Sequence, residues 1–127
     1  MYKYVVKERG STLIQRIIVA LYLSKSYGYK EGLTRSELAY IVGTTKNSLN
    51  YTMSAHRDKG YIKPLDDLSF IERVTRMEKL YTLTEKGVEM ARKLLRVYAK
   101  GTLDFSEVQL RLLELIEEKE NSERNEM

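Results

Sequence analysis

Apolar residues spaced three and four apart predict two helices in the first third of the chain. The first has a broad apolar face, as a helix needs when it packs against several others, and Ser11 or Thr12 can cap it. That face contains Leu13, Ile14, Ile17, Ile18, Leu21 and Tyr22. The second, with Leu38, Ile41 and Val42, starts after Thr34, and Glu37 can complete a capping box. Gly43 suits the left-handed position that ends a helix and begins a turn.

A third helix is predicted after Thr44 or Thr45, and its apolar side is narrow. Leu49 and Met53 are the inward candidates. The other face is polar and contains Thr45, Lys46, Asn47, Ser48, Asn50, Tyr51, Ser54 and Arg57. Asn pairs with adenine edges, Arg and Lys with guanine, and Ser or Thr with either, so this face suits the DNA major groove. The alternative interpretation is an ordinary solvated helix face.

Two short β-prone segments follow and predict a hairpin. Gly60 stops the preceding helix, residues 61–63 form a strand ended by Pro64, and residues 80–83 form a second strand. The long connection between them carries Arg73, Arg76 and Lys79. Such basic hairpin tips commonly follow a phosphate backbone or enter the minor groove. Acidic residues lie among these basic ones, so the sequence does not show which residues form the tip of the hairpin.

The segments LTRSELAYIVGTTKNSLNYTMSAHRDKGYI and YTLTEKGVEMARKLL resemble the winged-helix DNA-binding domains of MarR, PadR and ArsR-type transcription regulators. The resemblance implies a mainly α fold with a small β-hairpin, which is an α+β winged helix-turn-helix. It also implies that residues 45–57 act as the recognition helix and that Arg73, Arg76 and Lys79 act in the wing. We therefore expect a winged-helix DNA-binding domain over residues 1–100.

Two further helices are predicted at the C-terminal end. One runs from Thr84 to Lys100 and is ended by Gly101; the other starts at Asp104 or Ser106, with Gln109 able to complete a capping box. The last helix has an apolar stripe formed by Val108, Leu112, Leu115 and Ile116. Because a small winged helix already has a core, this stripe predicts a dimer interface. The alternative is that the helix folds back on its own domain. We expect a dimerisation helix over residues 101–120 and a frayed polar tail over residues 121–127.

The charge is distributed unevenly along the chain. The formal net charge is +4, but residues 104–127 carry eight carboxylates and three basic side chains, a net −5, which leaves +9 for the remainder. A basic body with an acidic tail indicates that the body, and not the tail, binds a polyanion. High Lys, Glu, Arg and Tyr content also fits a heat-adapted, archaeal protein, in which charges serve stability.

Several function classes have no support in the sequence. The chain has no cysteine, which excludes disulfides and thiolate metal sites, and its one histidine, His56, lies among recognition-helix residues. Asp66 and Asp67 are adjacent, which is a poor geometry for paired acid–base work. No phosphate-binding glycine loop, nucleophile elbow or zinc-protease motif occurs. We expect no enzyme activity, no metal and no cofactor.

The longest apolar run is too short for a membrane span, which favours a cytoplasmic, nucleoid-associated protein.

These features together predict a sequence-specific, homodimeric transcription regulator that binds double-stranded DNA. Two alternatives use the same fold: an architectural DNA-binding protein without sequence preference, and a winged-helix adaptor that contacts proteins. The sequence does not identify a small-molecule effector. The default position for one is a cleft near Tyr22, Tyr98 and Phe105, although these aromatic residues equally suit a core.

Overall fold

The computed structural model describes residues 10–65 and 78–125. Within these residues the chain is mostly helical, and its β structure is one hairpin. The helices are α1 (Leu13–Ser26), α2 (Arg35–Val42), α3 (Lys46–Ala55), α4 (Glu85–Ala99) and α5 (Ser106–Asn125), and the strands are β1 (Ile62–Pro64) and β2 (Tyr81–Leu83). A short 3₁₀ helix, Arg57–Lys59, follows α3. The predicted α+β class is confirmed.

Helix α1 lies at the centre of the fold. It contacts every other α-helix and strand β2, and residues from Ile17 to Leu21 are buried without interruption. A helix that is apolar on all sides is a buried helix. Of the two predicted caps, Thr12 is the one used: its hydroxyl accepts from the amide of Gln15, and the Gln15 side chain accepts from the amide of Thr12.

Helices α2 and α3 form the predicted helix-turn-helix. The Thr34 hydroxyl accepts from the Glu37 amide at 3.1 Å, and the Glu37 carboxylate accepts from the Thr34 amide at 3.0 Å, which confirms the capping box. Gly43 has a φ of 72°, a left-handed conformation that favours glycine, and ends α2. Thr45 caps α3 by accepting from the Ser48 amide at 3.1 Å. The turn between the helices is thus defined by local interactions.

Strands β1 and β2 pair antiparallel, with Ile62 opposite Leu83 and Pro64 opposite Tyr81. The prediction placed Pro64 after the strand, but it is the last residue of β1. Proline is tolerated there because β1 is an edge strand, so no neighbouring strand requires a hydrogen bond from a backbone amide at this position. On the other side of β2, Leu33 and Tyr81 exchange two backbone hydrogen bonds, which joins the hairpin to the start of the helix-turn-helix.

Helix α4 packs directly against the end of the hairpin through Gly87. A Cβ at this position would overlap the backbone carbonyl of Tyr61, so glycine is needed for the close approach. Thr84 caps α4 by accepting from the Gly87 amide, and its own hydroxyl donates to the carbonyl of Gly60. The order of strand, threonine cap and glycine in the segment TLTEKG therefore has a structural reason.

Helix α5 folds back on its own domain, where it packs against α1 and α2. Val108 and Leu112 are 0% exposed within the single chain. Within the single chain these two side chains are therefore covered by the domain itself, as the alternative interpretation expected, and the dimerisation role of the helix stays a prediction. Leu115 and Ile116 are partly buried against the same core. The apolar stripe predicted correctly that the helix packs, but its partner is the domain itself.

The last helix is also longer than predicted. Residues 121–125, expected to belong to a frayed tail, continue α5 to Asn125. Glu120 and Arg124 are spaced four residues apart, an arrangement that supports an exposed helix. Lys119 donates to the carbonyl of Tyr29 at 3.2 Å and holds this part of α5 near the domain. Gln109 makes no predicted capping box; its side chain links Tyr98 to Tyr27.

Candidate nucleic-acid interface

The outer face of α3 presents a continuous polar ridge. Leu49 is fully buried and fixes the inward side of the helix. Four exposed residues lie on the opposite side at helical spacing: Asn47, Asn50, Tyr51 and Ser54. Tyr51 is 76% exposed. Amide, hydroxyl and phenol groups on one exposed helix face can form hydrogen bonds with base edges in a major groove.

A basic cleft lies between α3 and the hairpin. Its volume is about 420 Å³. Asn50, Ser54 and Arg57, predicted for the recognition role, line it together with Lys79, predicted for the wing. Its lining also includes the apolar side chains of Met53 and Ile62 and the ring of Tyr81. The structure thus brings predicted residues from both segments to one concave surface.

Two more cations line this cleft that sequence reasoning missed. Arg35 comes from the first turn of α2, where its guanidinium lies 5.2 Å from the centre of the Tyr81 ring, and Lys63 comes from β1. Neither belongs to the segments that the family resemblance assigned to DNA contact. The available signal for Lys63 was its place in the predicted strand, where it is exposed beside half-buried Ile62. Arg35 had no such signal, because only the fold places it beside the hairpin.

The end of the predicted recognition helix differs from expectation. Helix α3 ends at Ala55, so Arg57 lies in the following 3₁₀ helix and not on α3. Arg57 remains exposed and lines the cleft. His56 is half-buried, and its Nδ1 lies 2.9 Å from the carbonyl oxygen of Thr52.

Lys46 and Lys79 occupy different environments. Lys46 donates to Glu78 Oε1 at 2.8 Å, and Ser36 donates to the same oxygen at 2.7 Å. Hydrogen bonds from Lys46 and then Ser36 lower the pKa of Glu78 to about 2. Lys79 is exposed at the base of the hairpin. The other two predicted wing residues, Arg73 and Arg76, lie outside the described residues.

Two arginines fix the helix-turn-helix to the rest of the domain. Arg16 from α1 donates to the Val42 carbonyl at 3.2 Å, and Arg111 from α5 reaches the Ile41 carbonyl at 3.5 Å. Burial, and then the nearby charge of Arg111, lowers the pKa of Arg16. Cations at a helix C-terminus are favourable because the last carbonyls carry partial negative charge. These contacts hold α2, and through it the orientation of α3.

The other predicted sites have different outcomes. Phe105 is fully buried and packs edge-on against the ring of Tyr98, with centroids 5.6 Å apart, so these two aromatics pack with the core, as the alternative interpretation expected. Across residues 10–65 and 78–125, no cluster of His, Asp or Glu has the arrangement of a metal site. Among the same residues, none of the helices is long and apolar enough to cross a membrane.

The comparison with solved structures bears on the fold. The chain is similar to the crystal structure of MepR, described as a transcription regulator of the Staphylococcus aureus multidrug efflux pump MepA. The match covers 97% of this chain and 78% of that one, with a TM-score of 0.53 and 16% sequence identity. The chain has a winged-helix fold. At this identity the likeness establishes the architecture and leaves function to the residues of this chain. No protein-family model and no curated protein sequence matches it.

Proposed function

We propose that this protein is a sequence-specific DNA-binding transcription regulator, with α3 in the major groove and the hairpin on the adjacent backbone or minor groove. The observation that carries the proposal is the polar ridge of α3, formed by Asn47, Asn50, Tyr51 and Ser54, beside a cleft lined by cations from three other segments. Amides on the ridge suit base edges, and the cations suit phosphates. The fold likeness to MepR, itself a transcription regulator, supports the same conclusion.

Within this proposal the residues have separate roles. Arg35, Arg57, Lys63 and Lys79 contact phosphates and set the affinity, while Asn47 and Asn50 contact bases and set the preference. Arg73 and Arg76 are proposed to extend the basic surface along the wing. Thr45 and Ser48 form the cap of α3, in which the Ser48 amide donates to the Thr45 hydroxyl, and this contact positions the start of the helix.

We propose further that the protein acts as a homodimer, through the outer face of α5. Leu110 and Leu113 lie on the outer face of α5 and are 59% and 50% exposed. A pair of exposed leucines on one helix face is a candidate contact with a second copy. A dimer with recognition helices about 34 Å apart meets successive major grooves of a palindromic site.

The test of DNA binding uses fluorescence anisotropy with a labelled duplex of random sequence over a range of salt concentrations. Arg57→Ala is expected to weaken binding and to reduce the salt slope by about 0.9, the value for one phosphate contact. Lys93→Ala is the matched control, because Lys93 is exposed on the side of α4 away from buried Ala91 and carries the same charge. Equal effects of the two variants would contradict the assigned interface.

A further inference from the structure

Among residues 10–65 and 78–125, Glu78 is the one carboxylate that contacts a predicted DNA-binding side chain, that of Lys46. It immediately precedes Lys79, which lines the basic cleft. Its oxygen Oε1 accepts from the ammonium of Lys46, on the first turn of α3, and from the hydroxyl of Ser36, on the first turn of α2. Glu78 therefore joins the base of the wing to both helices of the helix-turn-helix.

An acidic side chain in this position opposes DNA binding. A phosphate oxygen of DNA is commonly bound by a lysine ammonium together with a serine or threonine hydroxyl. Lys46 and Ser36 supply this pair of donors, and both are directed at a single carboxylate oxygen, at 2.8 and 2.7 Å. The carboxylate thus occupies the place that the same donors would give to a phosphate oxygen.

We propose that Glu78 is an internal competitor for a DNA phosphate, which holds Lys46 and Ser36 in the free protein and yields them to the backbone of bound DNA. The proposal rests on the proposed function, since it specifies one phosphate contact of the same interface. Exchange requires no unfolding, because the side chains of Lys46 and Glu78 are 54% and 34% exposed.

The competitor would lower affinity for all duplexes alike. A phosphate contact is independent of sequence, so weakening it reduces non-specific binding and leaves base reading by Asn47 and Asn50 intact. Residual repulsion between Glu78 and the phosphates acts in the same direction. Because specific and non-specific affinities fall by the same factor, the ratio between them is unchanged, and the competitor acts on the absolute affinity and its salt dependence.

The test compares the unaltered protein with Glu78→Gln, which keeps the shape of the side chain and removes its charge. Binding to a labelled random-sequence duplex is measured by anisotropy across a range of potassium chloride concentrations. We expect Glu78→Gln to bind on the order of fivefold tighter at low salt, as the loss of one exposed ion pair allows. The salt slope should steepen by up to about 0.9. Glu123→Gln is the control for net charge, because Glu123 is exposed near the end of α5.

A second variant identifies the group that is released. In a Lys46→Ala background, Glu78→Gln should give a clearly smaller gain, because only the release of Ser36 and the residual repulsion of phosphates then remain. A full gain in that background would overturn the proposal, as it would indicate a general charge effect. Circular dichroism of each variant checks that the helices are retained.

Other outcomes also overturn the proposal. Weaker binding of Glu78→Gln to every duplex would mean that the carboxylate only ties the wing in place. Altered preference at one base position would mean that Glu78 reads a base, since carboxylates can accept from cytosine N4. If the unaltered protein binds no duplex, the proposed function fails as well; if it binds and Glu78→Gln binds no tighter than Glu123→Gln, this proposal fails by itself.

Discussion

Replacing Leu112 by Ala tests whether α5 belongs to the core of its own domain. Leu112 is 0% exposed, so truncation removes a fully buried side chain and leaves a cavity. Such changes cost about 2–5 kcal/mol, a large part of the roughly 6–19 kcal/mol expected for a domain of this length. With a loss of about 3 kcal/mol and a urea m-value of about 2 kcal/mol/M, the unfolding midpoint should fall by about 1.5 M.

Leu113 provides the matched control, because it is the next residue on the same helix and is 50% exposed. Leu113→Ala changes helix propensity equally but removes only a half-buried side chain, so the expected cost within a single domain, apart from any loss of dimer contacts, is about 1 kcal/mol or less. Both variants are measured by urea unfolding, followed by circular dichroism, at two protein concentrations. The decrease in the free energy of unfolding caused by Leu112→Ala should be the same at both protein concentrations.

The reasoning about α5 would be refuted by either of two results. One is a midpoint shift for Leu112→Ala no larger than that for Leu113→Ala. The other is a decrease in the free energy of unfolding of Leu112→Ala that depends strongly on protein concentration. Such a dependence would mean that Leu112 packs mainly against a second subunit, because the stability of a dimer varies with protein concentration. Sedimentation velocity on Leu113→Ala completes the experiment, because the proposed dimer surface predicts a shift towards monomer for this variant.

Three further predictions concern the wing, the ion pair and the recognition ridge. Gly87→Ala should destabilise the fold by about 1–3 kcal/mol, because the new methyl group overlaps the carbonyl of Tyr61, whereas Glu89→Ala on the exposed side of α4 should be nearly neutral in thermal unfolding. The pKa of Glu78 is about 2, below its ordinary value of 4.5, so its contribution is present above pH 4.5 and is lost as the pH falls towards 2. Unfolding curves of Glu78→Gln and the unaltered protein should therefore differ at pH 7 and converge near pH 2. Asn47→Ala and Asn50→Ala should relax base preference at particular positions of a selected site, and an unchanged preference in both would reject the ridge as the reading surface.

Features set by neighbouring residues could be predicted from the sequence. The capping box of Thr34 and Glu37 and the left-handed turn at Gly43 depend on a few consecutive residues, and both are present. The polar face of α3 followed from the same reasoning, because one buried leucine, Leu49, fixes which side is outward. The winged-helix order was recognisable since each element has its own local signal.

Features set by contacts between distant segments could not be predicted in this way. The stripe on α5 indicates that the helix packs but does not identify its partner, and Val108 and Leu112 are covered by α1 and α2. Arg35 lies beside the hairpin only because Leu33 pairs with Tyr81. The pairing of Lys46 with Glu78 joins residues 32 positions apart, and no periodicity reports it.

Selection from a random-sequence duplex library at two salt concentrations, followed by sequencing, tests the central claim most directly. We predict enrichment of a palindrome whose half-sites are about one helical turn apart, with the enrichment retained at the higher salt. Binding without enrichment would contradict sequence-specific regulation and favour an architectural role. No binding at either salt concentration would contradict the nucleic-acid interface itself.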